Sequence, residues 1–110
     1  MQKPLQITFR DMAPSEALEA RIRQRVDKLD AFEDRITGCR VVVERLSARR
    51  RNGNDIGVRV ELTLPGRTVM VDETRDEDAY VAVRDAFDAA ERMLTKSGET
   101  PRGAQPEFTL

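Results

Sequence analysis

Hydrophobic and polar positions alternate along this chain in two rhythms, and the rhythm changes at recognisable breaks. Leu5, Ile7 and Phe9 alternate with polar neighbours across residues 4–10, the period of a half-buried strand. Ala13-Pro14-Ser15 interrupts it. Ser15 can cap a helix, and Glu16 and Glu19 suit the positive end of that helix's dipole. Leu18, Ile22, Val26, Leu29 and Phe32 then recur at spacings of three and four, which predicts an amphipathic helix over residues 16–32. Gly38 follows the helix exit, and the β-branched run 39–46 predicts a second strand. A polar, arginine-rich connection from Ser47 to Asp55 contains the turn dipeptide Asn52-Gly53. Beyond it Val58, Val60, Leu62 and Leu64 alternate with Arg59, Glu61 and Thr63, a third strand. Pro65-Gly66 turns the chain into a fourth around Thr68 to Asp72. Asp76 is the expected N-cap of a second helix, with Glu77 and Asp78 in its first turn. Tyr80, Val83, Phe87, Ala90 and Leu94 form its apolar stripe, which ends near Gly98.

The order is β-α-β-β-β-α. Three consecutive strands with short turns imply an antiparallel meander, and the intervening helix lets the first strand lie parallel to a neighbour. Each helix has one apolar stripe, so both are expected on one face of the sheet. The fold class is α+β: a two-layer sandwich with a four-stranded mixed sheet. Residues 1–97 are the expected folded domain. Residues 98–110, polar and with Pro101, Gly103 and Pro106, are the expected flexible tail.

Composition narrows the chemistry. Cys39 is the lone cysteine and sits at strand spacing from Val41 and Val43, as a small buried hydrophobe would. Histidine is absent, which removes Ser-His and Cys-His nucleophile pairs and histidine metal ligands. The N-terminal Met-Gln-Lys-Pro-Leu lacks the apolar core of a signal peptide, so a cytoplasmic protein is expected. The net charge of -1 conceals an asymmetry: residues 1–71 hold 14 basic against 10 acidic side chains, and residues 72–110 hold 5 against 10. A near-neutral average therefore leaves room for a basic face.

No group stands out as catalytic. Asp72, Glu73, Asp76, Glu77 and Asp78 are dense in carboxylates, but they lack the spacing of a calcium loop, and helix capping accounts for most of them. There is no glycine-rich phosphate loop. The expectation is a non-enzyme without cofactor, metal or small-molecule substrate. The first helix is more informative: Arg21, Arg25 and Lys28 line one border of its apolar arc, while Glu19, Asp27 and Asp30 lie on the other side with Arg23 among them. Stems along an apolar edge with charged heads outward suit an RNA phosphate surface. The same residues could instead pair with acids of the second helix. There Arg84, Arg92 and Lys96 share the outer half with Asp85, Asp88 and Glu91. Arg49, Arg50 and Arg51 in the long connection are further candidate phosphate contacts.

The element order, Ser15-Glu-Ala-Leu through Lys28-Leu-Asp-Ala-Phe-Glu-Asp-Arg-Ile36, the Leu64-Pro-Gly66 turn and Asp78-Ala-Tyr-Val-Ala-Val83 together resemble the ribosome hibernation-promoting factors. That family is also called ribosome-associated inhibitor or sigma-54 modulation proteins. The resemblance covers about residues 5 to 97 and looks like a short form without the dimerisation domain of long members. It implies binding between the head and body of the small ribosomal subunit, over the tRNA and mRNA sites, with basic side chains of both helices on rRNA phosphates. The matching positions are Arg25, Lys28, Arg92 and Lys96, and Arg21 extends the stripe by its own geometry. Ala89 and Glu91 depart from the family's more lysine-rich second helix. Two other readings remain open: a protein-interaction module that docks through its acidic 72–78 segment, and a double-stranded-RNA-binding module, against which the first strand argues.

Overall fold

The computed structural model describes residues 4–46 and 55–98, apart from the side chains of 96–98. Four strands and two helices alternate as β1 (Leu5–Arg10), α1 (Glu16–Phe32), β2 (Gly38–Arg45), β3 (Ile56–Leu64), β4 (Arg67–Asp76) and α2 (Ala79–Gly98). The spatial order in the sheet is the chain order, β1-β2-β3-β4. β1 runs parallel to β2, with Leu5, Ile7 and Phe9 opposite Cys39, Val41 and Val43, and the other two pairings are antiparallel. The mixed sheet expected from the sequence is therefore present.

One face of the sheet makes the core. Along β3, Ile56, Val58, Val60, Leu62 and Leu64 are all buried, and the residues between them are not. Cys39, Val41 and Val43 of β2 and Val69 and Val71 of β4 point the same way. Leu18, Ile22, Val26 and Leu29 of α1 and Ala82, Val83, Ala86, Phe87, Ala90 and Leu94 of α2 close over them in a single cluster, so both helices cover the same face. At roughly 25 cal/mol per Å² of apolar surface removed from water, this layer is the dominant stabilising term.

Local chemistry sets the element ends. Ser15 Oγ accepts from the Leu18 backbone N–H at 3.1 Å, the expected N-cap of α1. Glu33 closes the helix: its N–H donates to Leu29 O, and its carboxylate receives the backbone N–H, Nε and Nη2 of Arg35. Those bonds hold the Glu33 carboxyl below the usual carboxylate range. Gly66 sits at φ +81°, as the third position of a Pro-Gly type II turn requires.

Three expectations are corrected. The cap of α2 is Asp78: its Oδ1 accepts from the Tyr80 N–H at 2.8 Å, while Asp76 ends β4 and its Oδ1 accepts from the Asp78 N–H. β4 extends four residues past Asp72, because a bulge lies between the Val60–Val71 and Val58–Thr74 pairs. The extra residue resets the inward phase so that Thr74 again faces Val58, and this hides the strand from a strict period of two. Phe32 lies outside the core and is 54% exposed. The Asn52-Gly53 turn and the tail from Glu99 onward lie outside the described residues.

Cys39 is buried as expected, and burial pushes its thiol up to about 12 from an ordinary value near 9.0. Because the folded value is the raised one, the stability gained by keeping the thiol neutral is complete below about pH 9 and is lost as pH rises towards 12. At pH 8 a thiol reagent should leave the native protein almost unlabelled and react fully in denaturant; fast native labelling would contradict the burial. Phe87→Ala should cost about 3–5 kcal/mol in urea unfolding, since it empties a fully buried ring site. Phe32→Ala should stay within about 0.5 kcal/mol of the unaltered chain.

Candidate nucleic-acid interface

With both helices on one sheet face, their adjoining edges form a seam. Contacts across it advance together along both chains: Arg21 meets Tyr80, Arg25 meets Phe87, Asp88 and Glu91, and Lys28 meets Glu91. The helices therefore lie side by side and run parallel. The basic border of α1 is the border that faces α2.

Arg25 occupies the middle of the seam. Its side chain is only 14% exposed, its Nη2 lies 2.8 Å from Asp88 Oδ1 and 3.2 Å from Glu91 Oε2, and its guanidinium carbon is 5.7 Å from the Phe87 ring centroid. Its Nε is buried without a hydrogen-bond partner among the described residues. Helix geometry explains the difference from its neighbours. Taking Leu18 as zero at 100° per residue, the buried positions run from 0° to about 80°; Arg25 falls at about -20°, directly beside them, while Arg21 and Lys28 fall farther out at about -60° and -80°. Arg21 accordingly lies exposed with its guanidinium 5.4 Å from the Tyr80 ring centroid. Lys28 is exposed, with Nζ 3.7 Å from Glu91 Oε2.

The remaining candidates divide. Arg92 is exposed on the outer side of α2 beside Glu91 and makes no ion pair with a described residue. Lys96 stands in the last turns of α2, with its side chain outside the described residues. Arg49, Arg50 and Arg51 also lie outside them. The structure thus gathers Arg21, Arg25 and Lys28 along one seam, with two of the three engaged by α2 carboxylates, while Arg92 stands outside the seam on the outer side of α2. Elsewhere on the helices Arg23 pairs with Glu19 at 3.1 Å and Arg84 with Asp85 at 3.1 Å.

Other surfaces offer less. The uncovered sheet face interleaves Arg10, Arg40, Arg59 and Arg75 with Glu44, Glu61, Asp72 and Glu73, and Arg40 pairs with Glu61 at 3.8 Å. Its charges alternate rather than accumulate. Asp76 and Asp78 of the acidic segment are spent on turns and caps. Among the described residues no three Cys, Asp or Glu side chains converge as metal ligands, and no helix is long and apolar enough to cross a membrane. Sequence reasoning missed the exposure of Phe32, in the last turn of α1, and of Met93 on α2. Phe32 was legible in principle, because its wheel position of about -40° falls between Arg25 and Arg21 on the basic border.

The one-sided helix layer over a mixed four-stranded sheet defines a β-α-β-β-β-α sandwich domain. Two solved structures share this fold. A ribosomal subunit interface protein from Coxiella burnetii matches with TM-score 0.74 and 20% identity over 86% of this chain and 97% of its own. The N-terminal domain of Protein Y from Thermus thermophilus matches with TM-score 0.70 and 23% identity over 84% and 94%. The sequence is more specific: the profile of the sigma 54 modulation protein / S30EA ribosomal protein family matches residues 5–100, and the chain belongs to that family. A ribosome hibernation promotion factor from Deinococcus radiodurans is 31% identical over 93 residues, 83% of this chain and 47% of that protein. The chain therefore spans about half the length of this curated relative.

Arg25→Ala should destabilise the fold by about 1–2 kcal/mol, below the full cost of breaking a buried pair because Asp88 remains 45% exposed. Arg23→Ala, which removes an exposed pair, should cost less than about 0.5 kcal/mol. A double-mutant cycle of Arg25→Ala with Asp88→Ala should return a favourable coupling energy. Independent effects would show that the seam pair contributes nothing.

Proposed function

We propose that this domain binds the small ribosomal subunit in the channel used by tRNA and mRNA, and holds idle ribosomes inactive by occupying it. The observation that carries this reading is the match, over most of the chain, to a ribosome hibernation promotion factor. Geometry supports it through the cations of the two helices. Arg21, Lys28, Arg92 and Lys96 meet rRNA phosphates, the arginines in bidentate fashion and the lysines as point charges. Arg25 serves the same surface by neutralising Asp88 and Glu91, which would otherwise repel phosphate from the centre of the seam. As Arg25 shares Asp88 and Glu91 between its bonds, an approaching phosphate can also draw on its guanidinium. Contacts of this kind read backbone position and A-form shape rather than sequence.

Co-sedimentation with isolated ribosomal subunits tests the proposal. The protein should pellet with the small subunit, and the association should weaken with salt by roughly 0.7–0.9 log units per log unit of salt for each phosphate engaged. Lys28→Glu combined with Arg92→Glu should cut binding at least tenfold and flatten the salt dependence. Failure to associate at low salt, or indifference to the double reversal, would sink the reading.

A further inference from the structure

The seam ends in a shallow groove that phosphate binding alone leaves unused. It is lined by Phe32, from the last turn of α1, and by Asp88, Ala89, Glu91, Arg92 and Met93 of α2. Phe32 and Met93 are 54% and 39% exposed, two of the few large apolar side chains left to solvent among the described residues. Lys28 lies one helical turn before Phe32 on the same edge, and Arg92 lines the groove from α2.

We propose that this groove receives one unstacked base of a single-stranded RNA segment, stacked on the Phe32 ring with its phosphate between Lys28 and Arg92. The inference deepens the ribosome-binding reading and rests on it. Two features point to a nucleotide. An aromatic ring with an open face next to cations is the arrangement by which proteins hold unpaired bases, because every base presents a π-face and carries a phosphate nearby. The second is charge: the two carboxylates that line the groove, Asp88 and Glu91, are paired with Arg25 at 2.8 and 3.2 Å, and with Lys28, 3.7 Å from Glu91, and Arg92 the local set holds three cations against two acids. An apolar protein helix would satisfy Phe32 and Met93 but would leave Arg92 without a counter-charge.

The chain contains no tryptophan, so Phe32→Trp creates a single fluorescent reporter at the proposed stacking face. Its emission should be quenched by oligoadenylate and by small ribosomal subunits, and left unchanged by an abasic ribose-phosphate oligomer of equal length. Phe32→Ala should weaken oligoadenylate binding roughly 5- to 150-fold, the span expected for one base-aromatic stack. Phe32→Leu, which keeps apolar bulk without a ring, should weaken it similarly. Full affinity in the leucine variant overturns the stacking assignment. So does unchanged tryptophan emission while small subunits still pellet with the protein, a result that leaves the ribosome-binding reading intact. An emission change that follows protein concentration alone would assign the groove to a second copy of the chain and overturn the inference. Absence of pelleting by the unaltered chain would remove both readings together.

Discussion

Everything in this domain follows from a sheet that is apolar on one face only. β3, at the interior of the sheet, sets the rule by burying every second residue from Ile56 to Leu64. A face of that kind must be covered along its whole width, and one helix is too narrow to do it. Two helices are therefore forced onto the same side, next to each other. The seam between them is a by-product of covering the sheet, yet it is where the distinctive side chains of the chain accumulate.

The seam is an electrostatic compromise. Arg25 lies deep enough in it to sit against the Phe87 ring and tie α1 to two carboxylates of α2, so its charge is set against theirs at the centre of the helix layer. A cation with both tasks links fold stability to surface charge. Substituting it removes a tie between the helices and the charge that offsets two carboxylates at once, so loss of binding in such a variant does not by itself identify a contact. Lys28 and Arg92, which are more exposed, separate the two effects more cleanly.

How far the sequence could be read depended on whether the deciding forces were local. Periods of two and of three-to-four fixed β3 and α1 almost to the residue, because burial on one face is all that those elements express. The cap of α2 was misplaced by two residues because Asp76 and Asp78 are both carboxylates that accept backbone N–H bonds, one in a turn and one at the helix. β4 was shortened because its bulge shifts the inward phase at Asp72-Glu73. Among the interface residues, the basic edge of α1 was visible, but the engagement of Arg25 was not. That depended on Asp88 and Glu91, more than 60 positions away, lying alongside it. Phe32 fits the apolar stripe by spacing, but it is the last residue of the helix and stays outside the buried cluster.

The bulge in β4 has a consequence for the company this protein keeps. β4 is an edge of the sheet, ten residues long, and a straight edge of that length is a template on which another chain could extend the sheet. The two-against-one mismatch between β4 and β3 twists the strand at its middle, with Asp72 and Glu73 exposed at the irregularity. An incoming strand would have to follow the kink and accept two negative charges while doing so. Such an edge discourages strand-by-strand stacking into fibres.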